Sequence, residues 1–108
     1  MTTNSNLQIA PATALVQLLT EFPDLPVIDW SLTTDGHLSG QVVNDEVDMR
    51  PVIDAFVKAL NTPASEHWYT SPRDDRDRYS STVYATWREV NVTVYGNCLA
   101  SALKVATS

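Results

Sequence analysis

The 108-residue sequence is short of most things that announce a function. It has one cysteine, Cys98, so no internal disulfide can form, and a reducing compartment is the expected setting. Its three glycines, Gly36, Gly40 and Gly96, stand apart and make no phosphate-binding loop. No apolar run approaches the roughly 18 residues of a membrane helix. The opening MTTNSNLQIAPA has neither the positive charge nor the apolar stretch of a secretory signal, so a cytoplasmic location is expected.

Positive charge is scarce. Residues 1–72 carry 2 basic and 9 acidic side chains, and the whole chain has a net charge of −6. Duplex affinity comes largely from Lys and Arg neutralising phosphates, so direct nucleic-acid binding is not expected. A length of 108 residues with 44% hydrophobic composition fits one domain over residues 1–108, with residues 1–8 frayed.

What is present reads as a small α+β domain. Pro11 suits a first helical turn, and Leu15, Leu18, Leu19 and Phe22 recur at helical spacing until Pro23, which predicts a helix over 11–22. Residues 27–32 alternate as a strand, Asp35-Gly36 supplies hairpin turn chemistry, and 37–43 return as a second strand. Asp48 is placed to cap a second helix that runs to about residue 60, with Met49, Val52, Ile53, Phe56, Val57 and Leu60 as its apolar stripe. Strands are expected at 66–71, 79–87 and 90–96, the last two joined by the glycine-free Arg88-Glu89. A short helix or docked tail over 99–107 would use Leu99, Leu103 and Ala106. The order α-β-β-α-β-β-β implies a mainly antiparallel sheet of about five strands with two helices packed on one face.

Several constellations bear on possible chemistry. His37 and His67 are the only histidines, and either with Cys98 could form a nucleophilic pair, although no flanking motif supports one. The acidic groups Asp45, Glu46, Asp48 and Asp74, Asp75, Asp77 lack the glycine and distal Glu of a calcium loop, so no metal or other cofactor is expected. The loop 72–78 gathers Arg73, Arg76 and Arg78 among aspartates, either a contact loop for an acidic partner or a solvated loop whose charges screen one another. Tyr84 and Tyr95 have the opposite parity to Val83/Trp87 and Val92/Val94 in their strands, so they face away from a one-sided helix layer, where exposed aromatic surface marks a protein interface.

The run LPVIDW with DGHLSGQV, then DAFVKAL and TWREVNVTVYG, resembles small uncharacterised α+β proteins of actinobacteria and their phages or mobile elements. The resemblance implies a bacterial cytoplasmic accessory protein and carries no functional residue with it. The leading expectation is therefore a non-catalytic protein-interaction module, binding another protein or itself. Two alternatives stand beside it. One is an acidic inhibitor or DNA mimic using Asp24, Asp29, Asp35, Asp45, Glu46, Asp48 and Asp54. The other is a small enzyme or ligand-binding domain using His37, His67 or Cys98.

Overall fold

A computed structural model describes residues 6–104. The elements are α1 (Ile9–Glu21), β1 (Asp29–Leu32), β2 (Leu38–Val43), α2 (Arg50–Leu60), β3 (Ala64–Thr70), β4 (Asp77–Trp87) and β5 (Val90–Leu99), followed by a single 3-10 turn, Ala100–Ala102. The five strands form one sheet in the order β1-β2-β5-β4-β3. Three of its pairings are antiparallel hairpins, and β2 pairs with β5 in parallel. The sheet is thus mainly antiparallel, as expected, with one parallel ladder. That ladder closes a crossover running from β2 through α2, β3 and β4, a long-range pairing that no local turn signal encodes.

Strand alternation gives the sheet two different faces. Leu38 of β2, Val83 of β4 and Val90, Val92 and Val94 of β5 point to one side, where Ala14 and Leu18 of α1 and Ile53, Phe56 and Leu60 of α2 bury against them. Gly96 lies directly under α2: a Cβ there would come within 3.0 Å of the Ile53 side chain, so the missing side chain is what lets the helix sit close. Met49, Tyr79 and Cys98 continue the same layer towards Ala102 and Leu103. Both helices therefore cover one face, as the pattern predicts. No helix among the described residues is long and apolar enough to cross a membrane.

Local differences have local causes. The buried line of α1 is Pro11, Ala14 and Leu18, while Leu19 is largely exposed, because the small Ala14 rather than Leu19 faces the sheet. Residues 6–8 reach the fold: the Gln8 side chain donates to the Leu32 carbonyl at 3.0 Å, and the Leu7 backbone lies against Gly36. The expected disorder of residues 1–5 and the Ala106 contact fall outside the described residues. Strand β5 runs three residues past Gly96, and Arg78 belongs to β4 rather than to the loop.

The Arg88-Glu89 connection takes φ of 52° and 67°, the left-handed backbone that a two-residue hairpin turn requires and that non-glycine residues resist. Arg88 is retained by other contacts, over the Trp87 ring at 4.5 Å and beside Glu21 at 3.3 Å. No hydrogen bond or ion pair among the described residues holds the Glu89 side chain. Glu89→Gly is therefore expected to stabilise the chain by roughly 0.5–1 kcal/mol, read as a raised thermal midpoint.

Candidate functional site

The second face of the sheet carries no helix, and its composition differs from the core side. In register, its rows are Tyr69, Arg78 and Leu99; then His67, Ser80, Asn97 and Val43; then Ser65, Thr82, Tyr95, Gln41 and Asp29; then Tyr84, Thr93, Ser39 and Ser31. Hydroxyls, amides and phenols replace the valines of the other side. Alternation in β4 and β5 alone produces this, because every second residue must face away from the helices.

At one end of the face, where β4 begins and β3 and β5 end, is a hydrogen-bonded chain. Asp45, in the loop after β2, accepts from Arg78 Nη2 at 2.5 Å and lies 3.5 Å from Arg76. Arg78 Nε donates to Asn97 Oδ1 at 2.8 Å. The Asn97 amide nitrogen donates to the Tyr69 hydroxyl at 2.9 Å and to the Tyr95 hydroxyl at 2.7 Å. His67 stacks on Tyr69 with ring centroids 5.7 Å apart. Asn97 is only 4% exposed, so its orientation is fixed from both ends. The Asp45 carboxylate, first by its hydrogen bond and then by its charge, holds the Arg78 guanidinium above its ordinary value.

The arrangement has a chemical consequence. Each phenol oxygen accepts from Asn97, and each keeps its own O–H with no acceptor among the described residues. Hydrogen-bonded chains polarise one another, so a phenol that accepts from an amide anchored on Arg78 becomes a better donor. The face thus presents two held donors beside Tyr84, which is 69% exposed and a diagonal neighbour of Tyr95 across the β4–β5 pair.

Of the residues singled out from sequence, Tyr84 and Tyr95 lie on this face, and Arg78 reaches it from β4. Arg76 turns aside to Asp74 at 3.1 Å, where it holds that carboxyl below its usual range, and Arg73 stands exposed at the rim. The three arginines do not make one positive site, since Asp45 and Asp74 take up two of them. Asn97 and Tyr69 were not singled out from sequence, and Asp45 was named only among the acidic clusters, not as the partner of Arg78. The signal for Asn97 was present: the alternation Asn91, Thr93, Tyr95 simply continues beyond Gly96.

The histidines and the cysteine are kept apart. Cys98 pairs in register with Tyr79 on the helix side and is fully buried, whereas His67 pairs with Ser80 on the open side. His37 lies at the far end of β5, 3.2 Å from the Asn91 amide. No Cys–His pair is assembled. Among the described residues no three His, Cys, Asp or Glu side chains converge as metal ligands. The seven acidic residues named above are also dispersed: Asp45 pairs with Arg78, Asp48 with Arg50, and Asp54 with Lys58, while Asp29 sits on β1.

A separate groove of about 590 Å³ lies on the helix side, between α2 and the β3–β4 edge. Its floor includes Tyr79, whose hydroxyl donates to Glu66 at 2.5 Å and whose burial, reinforced by Glu66, pushes its pKa up to about 12. Comparison with family models, with curated proteins and with solved structures gave no match, so the chemistry of these surfaces is read from their own residues.

Proposed function

We propose that the chain is a non-catalytic protein-binding module, acting in the cytoplasm, whose partner lies across the helix-free face of the sheet. Tyr84 and Tyr95 would be the aromatic anchors, the Asn97-centred chain would set polar register, and Arg73 would stand at the rim. The observation that carries this reading is Asn97 giving both amide hydrogens to Tyr69 and Tyr95. The two phenol oxygens are thereby fixed before any partner arrives, and neither O–H has an acceptor among the described residues. Ordered tyrosines that combine apolar area with a polar tip are what protein interfaces favour.

The acidic-mimic reading draws less support, because Asp45, Asp48 and Asp54 are each paired with a cation of the same chain. The enzyme reading loses its dyad to the alternation that separates His67 from Cys98.

The test uses immobilised wild type, Tyr84→Ala and Tyr95→Ala chains against lysate of the source cells. Each substitution is expected to weaken retention of a specific partner at least tenfold, about 1.4 kcal/mol or more. Val16→Ala, on the exposed side of α1, should leave retention unchanged. Retention indifferent to both tyrosines would overturn the reading.

A further inference from the structure

Glu66 is set apart by what lies beneath it. It stands on β3 at the rim of the groove between α2 and the β3–β4 pair, opposite Ser81 in register. Ser81 and Tyr79, both lining that groove, are each only 1% exposed. Tyr79 gives its one proton to Glu66 Oε2 at 2.5 Å, so in its hydrogen bond with Ser81 the serine is the donor. The chain Ser81–Tyr79–Glu66 thus runs in one direction and ends on a carboxylate. What it offers the groove is an acceptor, the second Glu66 oxygen.

The other charges that line the groove are already neutralised. Arg50 turns its guanidinium to Asp48 at 2.9 Å, and Asp54 lies 3.4 Å from Lys58. Among the described residues no cation comes within ion-pair distance of Glu66. One uncompensated negative charge therefore faces about 590 Å³ of space walled by Pro51, Val57, Pro63 and Ala64.

We infer that the groove receives a lysine side chain of a basic partner protein, its ammonium on the free Glu66 oxygen and its methylene stem along the apolar wall. Lysine buries its stem on apolar surface while its head keeps a polar contact. A chain of net charge −6 also draws a basic partner towards it. A neutral donor would leave the carboxylate uncompensated. Arginine fits less well, because a guanidinium binds a carboxylate best through two parallel hydrogen bonds, and Tyr79 already holds one of the two oxygens. An ammonium is a point charge and needs only the other. Glu66 and the open-face tyrosines stand on opposite sides of the sheet, so this contact does not depend on the open-face reading.

The test titrates a blocked pentapeptide, Gly-Ala-Lys-Ala-Gly, into the isotope-labelled full chain at pH 7 and follows backbone amides. Shifts are expected at Asp54, Ala64, Glu66 and Ser81. Norleucine in place of lysine, or Glu66→Gln in the chain, should each weaken binding at least about fivefold, and arginine in place of lysine about threefold. Glu89→Gln removes the same charge at the β4–β5 turn and should change binding less than about twofold. Tyr79→Phe releases Oε2, so the arginine peptide should then bind at least as well as the lysine peptide. Should Tyr79→Phe fail to fold, Glu66→Gln, at an exposed position, decides together with the norleucine peptide.

Absence of shifts up to about 10 mM peptide would overturn the assignment. So would equal binding of the lysine, arginine and norleucine peptides, indifference to Glu66→Gln, or a Glu89→Gln effect as large as that of Glu66→Gln. n-Butylammonium binding as tightly as the peptide would overturn the protein partner and make a free amine the ligand.

Discussion

Phe56→Ala is expected to cost about 3–5 kcal/mol, measured as the shift in urea-unfolding free energy against wild type. Phe56 is fully buried on α2 and meets the edge of the Trp30 ring at a centroid distance of 5.9 Å. That contact joins α2 to β1, two elements that α2's own neighbours in sequence do not bring together. Truncation removes the transfer free energy of the ring and leaves a void between helix and sheet that the crossover cannot readily close. Small domains hold a total of roughly 5–15 kcal/mol, so the variant sits near the limit of folding at 37 °C. Phe56→Leu should recover most of the loss, because it restores apolar volume without the polar cost of other replacements.

The second large effect is Asp48→Ala, with an expected loss of about 2–4 kcal/mol. Asp48 is 8% exposed, and its two oxygens serve three different places. It accepts from the Arg50 backbone N–H at 3.0 Å, from Arg50 Nε and Nη2 at 3.1 and 2.9 Å, and from the Lys104 N–H at 2.9 Å. The side chain was expected as the N-cap of α2. That position falls one residue later, at Met49, yet Asp48 still receives a first-turn N–H and also ties the segment after the 3-10 turn to the helix start. Removing it strands two backbone donors, of Arg50 and Lys104, and takes from the guanidinium its carboxylate, leaving it the Lys104 carbonyl and, being partly exposed, some of its hydration.

The same geometry fixes a pH dependence. Hydrogen bonding from Arg50, then from the Lys104 and Arg50 backbones, holds the Asp48 carboxyl far below the usual carboxylate range, against the desolvation that would raise it. A depressed folded-state value means that the stabilisation is complete above the unfolded-state value of 3.8 and drains away as pH falls below it. Acid titration of stability should therefore fall steeply below about pH 4 in wild type and less steeply in Asp48→Asn. Asp35 and Asp74 are shifted in the same direction by Thr33 and Arg76, but they are exposed and add little.

How much of this was legible in the sequence follows the range of each interaction. Both helices, the Asp35-Gly36 hairpin and the two long strands announce themselves through spacing and turn residues within a dozen positions. The one-sided helix layer and the outward parity of Tyr84 and Tyr95 follow from the same alternation. Arg78 was misread because a charged run resembles a loop, although Asp77–Thr70 pairing makes it strand. β5 was read as ending at Gly96 because glycine normally punctuates a strand; here it makes room for Ile53. The parallel β2–β5 ladder and the Asp45–Arg78–Asn97 chain join residues nineteen or more positions apart, and no local pattern encodes such meetings.

The most direct test of the account is a map of contact on the isotope-labelled chain as a captured partner is titrated in, followed by backbone amide resonances. The proposed binding face requires the perturbed residues to be Thr82, Tyr84, Thr93, Tyr95 and Asn97, with the exposed side of α1 silent. Shifts centred on α1 and the outer surface of α2, with the β4–β5 amides of the open side unmoved, would contradict it.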